Sequence, residues 1–191
     1  MTRIIYLIFF CALSGISVSL ALLSIGHADQ NDTRLPGLFS ELRHSSNPER
    51  AKETSSKIWE IWSEHPENEE LSEALLSGIQ LLNSGRLDEA ERVFSAIIVA
   101  DDTFAEAWNK RATVYFLMGE YVLSKKDIAQ TIMREPRHFG AFSGLGLVET
   151  HLGNYEAALK AYHQAAAIHP YLEGYKNIMS ALTKLNRGNP T

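Results

Sequence analysis

The hydrophobic and polar positions of this chain follow a helical period over most of its length. Apolar residues recur three and four positions apart, and short segments that contain glycine, proline or asparagine separate the periodic stretches. No stretch shows the strict alternation that is typical of a strand, so the expected fold class is all-α. The pattern predicts helices at 69–84, 87–100, 104–118, 121–134, 138–152, 155–168 and 171–187.

A repeat of 34 residues runs through the predicted helices. Gly85, Gly119 and Gly153 are spaced at this interval, and each of them lies in a predicted turn. A fixed period of this length indicates helical pairs that stack on one another. Small residues are expected where two helix axes approach most closely, and proline is expected where the second helix of a pair ends. The small residues at two shared phases are Gly78, Ala112 and Gly146, and Ala90, Ser124 and Ala158, and the prolines are Pro136 and Pro170.

These phased residues resemble the tetratricopeptide repeat. The unit from 105 carries Trp108, Ala112, Tyr115, Gly119, Tyr121, Ser124, Ile128, Thr131 and Pro136. The unit from 139 carries Phe142, Leu145, Gly146, Gly153, Tyr155, Ala158, Tyr162, Ala165 and Pro170, whereas the unit from 71 matches less well and has Asp102 in place of the proline. The resemblance implies an α–α superhelix of about three repeats, at 71–104, 105–138 and 139–172. The run 105–146 is similar to exported or uncharacterised bacterial members of the family.

The segments beside the repeats have their own expected roles. Residues 29–36 are polar and are interpreted as a linker, and 37–70 as an atypical N-terminal pair of helices that caps the first repeat. In the alternative interpretation, Trp59 and Trp62 of that pair form a face that binds a partner. Residues 173–187 are interpreted as a C-terminal cap helix, because their apolar residues form one stripe.

The N-terminus has the pattern of an export signal. A single Arg3 precedes an uncharged apolar stretch from 4 to 25, and small residues at Gly26 and Ala28 suggest cleavage after residue 28. The expected location is therefore periplasmic or secreted. The stretch is also long enough to span a bilayer, so an inner-membrane anchor that faces the periplasm is the alternative. Cys11 lies within this segment, so the cleaved chain would contain no cysteine and form no disulfide.

Composition and motifs give no sign of catalysis. The net charge is −5, from 23 acidic and 18 basic residues, and this balance argues against a nucleic-acid partner. We found no phosphate-binding loop, nucleophile elbow or helical pair of metal-binding histidines, so no enzyme activity, metal or cofactor is expected. Arg111 replaces the leucine of the general repeat. Its stem is expected to pack between helices while its guanidinium reaches a carboxylate, with a direct ligand contact as the alternative.

The resemblance also implies a binding groove, because the first helix of each repeat lines the concave face in this family. The residues at the corresponding phases here are Leu75, Ile79, Leu82, Asn109, Thr113, Phe116, Ser143, Leu147, Thr150 and His151. Leu75 and Ile79 replace the lysine and asparagine with which well-known members hold a peptide carboxylate. The groove is therefore expected to be mostly apolar, with an amide and hydroxyl groups, and to suit an apolar or amphipathic segment of a protein partner.

Two further alternatives concern the groove and the role of the chain. The chain's own N-terminal helices could fill the groove, since large apolar patches seldom remain exposed on monomers. The main functional hypothesis is a non-catalytic interaction scaffold that acts outside the cytoplasm. The alternative is a structural accessory subunit that self-associates and is held at a membrane by residues 4–25. The sequence identifies neither the partner nor the oligomeric state.

Overall fold

The computed structural model describes residues 31–188, so the export-signal prediction for 1–28 lies outside the described residues. Within this range the chain forms nine helices and no strand, which agrees with the expected all-α class. The helices are α1 Leu35–Arg43, α2 Pro48–Ser63, α3 Glu69–Asn83, α4 Leu87–Ala100, α5 Ala105–Leu117, α6 Tyr121–Arg134, α7 Phe139–His151, α8 Tyr155–Ile168 and α9 Tyr175–Gly188.

The helices α3 to α8 form three antiparallel pairs, one for each predicted repeat. Their ends lie within one residue of the sequence predictions. The turn within each pair explains this agreement: Gly85, Gly119 and Gly153 have φ values of 76°, 80° and 77°. Glycine adopts this left-handed conformation without the steric cost that a side chain imposes, so it ends the first helix at a fixed position.

Close packing within the pairs depends on the small residues at the shared phases. A Cβ atom added at Gly78 would lie 2.5 Å from Phe94 Cε1, and one added at Gly146 would lie 2.5 Å from Tyr162 Cε2. In the middle pair, the Ser124 hydroxyl donates a hydrogen bond to the carbonyl of Ala112 at 2.8 Å. The two helices of each pair therefore meet at the predicted small residues.

We expect Gly146→Ala to lower the free energy of unfolding by about 1–3 kcal/mol, because the added methyl group overlaps the Tyr162 ring. Gly144→Ala on the same helix is a matched control, since its Cβ would meet only Ile128 Cδ1, at 3.6 Å. The control should be neutral or stabilising, because alanine favours the helix over glycine by about 0.5–1 kcal/mol. Urea unfolding of both variants measures the difference. Equal stabilities would contradict the proposed close approach of α7 and α8.

The packing at both ends of the chain corrects two predicted boundaries. Residues 29–36 were expected to be linker, but α1 begins at Leu35, which is fully buried, and Pro36 fits the first turn of the helix. The last helix was expected from 171, but α9 begins at Tyr175. Gly174 has a φ of 69°, so the chain makes a turn immediately before this helix and Tyr171 lies outside it.

The remaining apolar residues form separate clusters along the stack. One cluster centres on Leu75, Phe94 and Ile97, between the first repeat and the start of the second. Leu182 of α9 packs against Ala158 and Tyr162 of α8, as expected for a C-terminal cap. The cluster of the N-terminal pair consists of Leu35, Phe39, Leu42, Ala51, Ile58, Ile61, Trp62 and, from α7, Phe139. The N-terminal pair is thus packed against the third repeat as well as against itself.

Candidate functional site

The first repeat contributes little free surface to the predicted groove. Leu75 is fully buried in the core, so it cannot contact a partner and the groove prediction is wrong at this position. Ile79 and Leu82 are partly buried and pack against the same core. Leu75, Ile79 and Leu82 were assigned to the groove from their phase alone, but in the structure they pack the helices of the first repeat together.

The second and third repeats enclose a small cavity on the predicted face. Four predicted residues line it: Asn109, Thr113, Phe116 and Leu147. Its volume is about 80 Å³, which is below the range of roughly 300–1,000 Å³ for small-molecule sites and suits a single apolar side chain. Ala112, Ser124 and Ile128 also line the cavity and were not predicted for the groove, whereas Gly140 and Gly144 lie at groove phases where well-known members have basic residues. The two glycines leave space on α7 through their lack of side chains, and their spacing of four residues was the signal for a shared helix face.

The hydroxyl groups of the groove are turned towards their own helices. Thr113 Oγ1 donates to the carbonyl of Asn109 at 3.0 Å, Ser143 Oγ to that of Phe139 at 3.0 Å, and Thr150 Oγ1 to that of Gly146 at 2.7 Å. These internal bonds use the one proton of each hydroxyl group. The groove consequently offers fewer hydrogen-bond donors than its sequence suggests.

An aromatic cluster lies at the C-terminal ends of α5 and α7. The His151 ring meets Phe116 edge-on with centroids 4.9 Å apart, and it lies 5.1 Å from the Tyr121 ring. His151 Nδ1 is 3.0 Å from the carbonyl oxygen of Leu147, which indicates that this nitrogen carries a proton and donates it. Leu147 itself is 42% exposed, and Leu117 at the end of α5 is 55% exposed. This end of the groove is therefore open and mainly apolar.

The N-terminal pair, α1 and α2, covers the opposite end of the groove. Trp59 lies against the position where Gly140 lacks a side chain, since a Cβ there would be 2.6 Å from Trp59 Cη2. Lys110 Nζ lies 5.1 Å from the centroid of the Trp59 ring. Trp62 is buried and stacks on His138, with centroids 4.1 Å apart and planes 9° from parallel. We call the surface formed by Lys110, His138, Phe139 and Gly140 the docking face.

This arrangement decides between the interpretations of the N-terminal pair. Trp62 is turned inward and cannot belong to a partner-binding face, so that alternative is wrong for this residue. The alternative in which the chain's own helices fill the groove holds at this end. The pair also reaches beyond the first repeat, because Trp59 contacts Phe139 of α7, with ring centroids 5.4 Å apart, and α1 packs near Ile168 and Leu172.

Lys110 and His138 of the docking face belong to a buried polar cluster centred on Glu106. His138 Nδ1 accepts a hydrogen bond from the Ala141 N–H at 3.0 Å, so its proton lies on Nε2, which donates to Glu106 Oε2 at 3.0 Å. Lys110 Nζ is 2.9 Å from Glu106 Oε1, and Asn109 Nδ2 donates to Oε2 at 3.1 Å. Burial alone would raise the pKa of Glu106, but the charge of Lys110 and the hydrogen bond from His138 hold it below its usual range. No sequence spacing indicates this cluster, because its two central residues lie 32 positions apart.

Comparisons with known proteins agree with this architecture. Residues 118–173 match the family model described as tetratricopeptide repeat. A TPR repeat-containing protein of Rhizobium etli is 30% identical over 164 residues, which cover 83% of this chain and 77% of the relative. The chain belongs to the tetratricopeptide repeat (TPR) family. The resemblance stated from the phased residues is therefore confirmed.

Solved TPR structures share the fold at lower identity. The crystal structure of MamA is 20% identical with a TM-score of 0.58, over 78% of this chain and 84% of that chain. The Sgt2 TPR domain from Aspergillus fumigatus is 17% identical with a TM-score of 0.59, over 65% and 87%. The first TPR of Spaghetti (RPAP3), bound to the HSP90 peptide SRMEEVD, is 21% identical with a TM-score of 0.56, over 58% and 90%. At these identities the similarity shows the fold.

Arg111 of the second TPR unit makes the structural contacts expected of it. Its guanidinium donates to both carboxylate oxygens of Asp127, at 2.7 and 3.0 Å, and to Ser95 Oγ at 2.9 Å. Its Cζ lies 5.0 Å from the centroid of the Trp108 ring. The ion pair joins α5 to α6 and the serine belongs to α4, so Arg111 links two repeats.

The described part of this TPR chain shows two further absences. No helix between residues 31 and 188 is long and apolar enough to cross a membrane. Over the same residues, no group of three or more histidine, cysteine or acidic side chains is placed to hold a metal ion.

We expect the stability of the TPR fold to fall as the pH drops from about 7.5 to 5.5, partly through His169. This side chain is buried against Phe139, with ring centroids 5.1 Å apart, and burial lowers its pKa. Below the unfolded pKa of about 6.5, the unfolded chain binds a proton that the folded chain rejects, so stability is full above that pH and is lost below it. The contribution to the slope is at most about 1.4 kcal/mol per pH unit. Urea unfolding across this range measures it.

His169→Gln should reduce that pH dependence, because the variant has no group to protonate at this position. His44→Gln is the control, since His44 is exposed at the end of α1. If the two variants and the unmodified chain show the same slope between pH 7.5 and 5.5, His169 is not the source.

Proposed function

We propose that the protein is a non-catalytic scaffold for protein–protein interaction, which binds an apolar or amphipathic segment of a partner outside the cytoplasm. The open end of the groove carries this proposal. There Phe116 and Leu147 line a cavity of about 80 Å³, and the neighbouring hydroxyl groups are bonded internally. Such a surface favours an apolar side chain over a charged one, because a charged group would lose its hydration without gaining donors.

Peptide binding by other TPR domains supports the general role. The RPAP3 domain is described in complex with an HSP90 peptide, and a second RPAP3 domain with the HSP70 peptide SGPTIEEVD. Both peptides end in acidic residues and a carboxylate. The present chain has Leu75 and Ile79 where well-known members place the lysine and asparagine of the carboxylate clamp. We therefore propose the same use of the groove with a partner of different chemistry.

The location outside the cytoplasm rests on the N-terminal sequence. The apolar stretch 4–25, the small residues Gly26 and Ala28, and the absence of cysteine after Cys11 support export. Mass spectrometry of the protein purified from its host tests this part. A first residue at Asp29 would support cleavage, an intact apolar segment in the membrane fraction would support the anchored alternative, and an intact chain in the soluble cytoplasm would contradict both.

Photo-crosslinking tests the groove. We would replace Leu147 with p-benzoylphenylalanine in the full chain, expose cells of the host to light, and identify the crosslinked proteins. Val99→p-benzoylphenylalanine is the matched control, because Val99 is 87% exposed and lies on the second helix of a repeat, away from the groove. We expect a distinct partner at 147 that is absent at 99 and is lost when Thr113→Arg fills the groove. Identical products at both positions would contradict the proposal, and crosslinks to a second copy would favour self-association.

A further inference from the structure

The interface between the N-terminal pair and the repeats contains unfavourable polar groups. Within residues 31–188, Trp62 Nε1 and His169 Nδ1 are buried without a hydrogen-bond partner. A buried polar atom in this state has lost its hydration without gaining a hydrogen bond, which is unfavourable. Separation of the pair from the repeats would return the Trp62 nitrogen to water. Undocking is therefore less unfavourable than it would be from an apolar interface of the same size.

The docking face also buries a polar cluster that contains charged groups. Glu106 and His138 are fully buried and lie 3.0 Å apart, and the Lys110 ammonium lies 2.9 Å from Glu106 Oε1. Charges that pair in a buried site gain little over the same charges in water, because burial removes their hydration. This cluster would recover water when α2 leaves. The lost hydration of this cluster offsets part of the favourable free energy that burial of the Trp59 and Trp62 rings contributes to docking.

The N-terminal pair has the contacts and the connection needed to leave as a unit. Leu35 and Leu42 of α1 pack with Ile58 of α2 in one cluster, so the two helices hold each other. Residues 64–68 join α2 to α3 and contain no helix. In this segment His65 Nε2 bonds Asp101 Oδ2 at 2.7 Å, and the His65 N–H donates to Ser72 Oγ at 2.7 Å. These bonds hold the segment to the repeats, so separation of the pair on its N-terminal side would not require the segment itself to detach.

The docking face contacts α2 through two aromatic rings, those of Trp59 and Trp62. Trp59 and Trp62 are three residues apart and therefore lie on one side of the helix. The first ring occupies the space above Gly140 beneath the Lys110 ammonium, and the second stacks on His138. Stacking and cation–π contacts depend on the rings and not on the rest of α2. Any amphipathic helix that presents two aromatic side chains one turn apart offers the same contacts.

We propose that the N-terminal pair is a displaceable occupant of the groove, and that the docking face also binds a helix of a partner with two aromatic residues one turn apart. α2 itself lies on this surface in the structure, so a partner helix with the same two aromatic residues would fit the same contacts. The open end is continuous with the docking face through Gly140. The effect of displacement on partner access to that open end rests on the proposed function. While α2 is docked, only the open end is accessible, and displacement exposes the full length of the groove.

A labelled peptide with the sequence of residues 48–63 tests the docking face directly. The full chain holds its own α2 at an effective concentration in the millimolar range, so the unmodified protein should bind the peptide weakly. The full chain with Trp59→Ala and Trp62→Ala has lost the anchors of its own helix and should bind the peptide at least about 10-fold more tightly. A peptide with both tryptophans replaced by alanine is the control and should bind neither chain. Equal affinity of the labelled peptide for both chains, or for both peptides, would overturn the proposal.

Hydrogen exchange of the unmodified full chain gives a second, independent measurement. We expect the amides of α2 to exchange through a local opening, at least about 10-fold faster than those of α4 and α5. Exchange of α2 only at the rate of global unfolding would show a permanently docked pair and would overturn the proposal even if the double variant does not fold. Neither measurement uses a partner of the open end. A negative crosslinking result at position 147 would therefore not contradict this inference. Negative results from the peptide and exchange measurements would likewise not contradict the proposed function.

Discussion

Replacing Arg111 with alanine should lower the free energy of unfolding by about 3–5 kcal/mol, one of the two largest effects we expect in this chain. The change leaves the buried Asp127 carboxylate without its bidentate partner and removes a hydrogen bond to Ser95. A buried charge without compensation costs more than the ion pair contributes, because its hydration is not restored. Urea unfolding at neutral pH, followed by circular dichroism, measures the change.

The double variant Arg111→Met, Asp127→Leu separates the cost of an unpaired charge from the value of the pair. Burial raises the pKa of Asp127 above its usual range although Arg111 lowers it, while Asp127 raises the pKa of Arg111 against the effect of burial. Both pKa values are raised, which disfavours the charged form of Asp127 but favours that of Arg111, because the carboxylate is the more deeply buried partner and bears more of the desolvation. We therefore expect the double variant to lie within about 1 kcal/mol of the unmodified chain or to exceed it. A double variant as unstable as the single one would show that the pair itself is strongly stabilising.

The architecture could be predicted from the sequence because its determinants are local and periodic. Each turn glycine has a positive φ, so it ends the first helix at a definite position whatever surrounds it. Gly78 and Gly146 allow their helices to approach, and this requirement recurs at a fixed phase. The period of 34 residues therefore predicted both the number of repeats and the residues at which their helices end.

The functional surface was less predictable because its determinants are long-range. Trp59 meets Gly140 across 81 positions of sequence, and no periodic pattern relates the two. The phase of Gly140 and Gly144 places them in the groove, but it does not show that Trp59 occupies the space above Gly140. Phase also placed Leu75 on the groove, although tertiary packing buries it. The direction of a hydroxyl group, as at Thr113, depends on local bonding that residue type alone does not decide.

The second of the two large effects should follow from Phe94→Ala, which we expect to lower the free energy of unfolding by about 3–5 kcal/mol. Phe94 is fully buried in the cluster with Leu75 and Ile97, and its ring lies directly against Gly78. Glycine cannot extend a side chain into the cavity that the lost ring leaves, so the site collapses poorly. Urea unfolding measures the loss, and Val99→Ala on the same helix should change stability by less than about 0.5 kcal/mol because Val99 is 87% exposed.

A swap across the same contact tests whether the glycine and the ring are matched in volume. Gly78→Ala alone should be destabilising, since its Cβ would lie 2.5 Å from the Phe94 ring, and Phe94→Leu alone should leave a gap. Together they should restore part of the loss, because the added methyl group moves into the space that the smaller side chain vacates. We expect the double variant to be more stable than the sum of the single effects by at least about 0.5 kcal/mol. If the two free-energy changes were strictly additive, residues 78 and 94 would not be matched in volume. Phe94 would then be positioned by the other residues of its cluster, and Gly78 would be needed only for the backbone of α3.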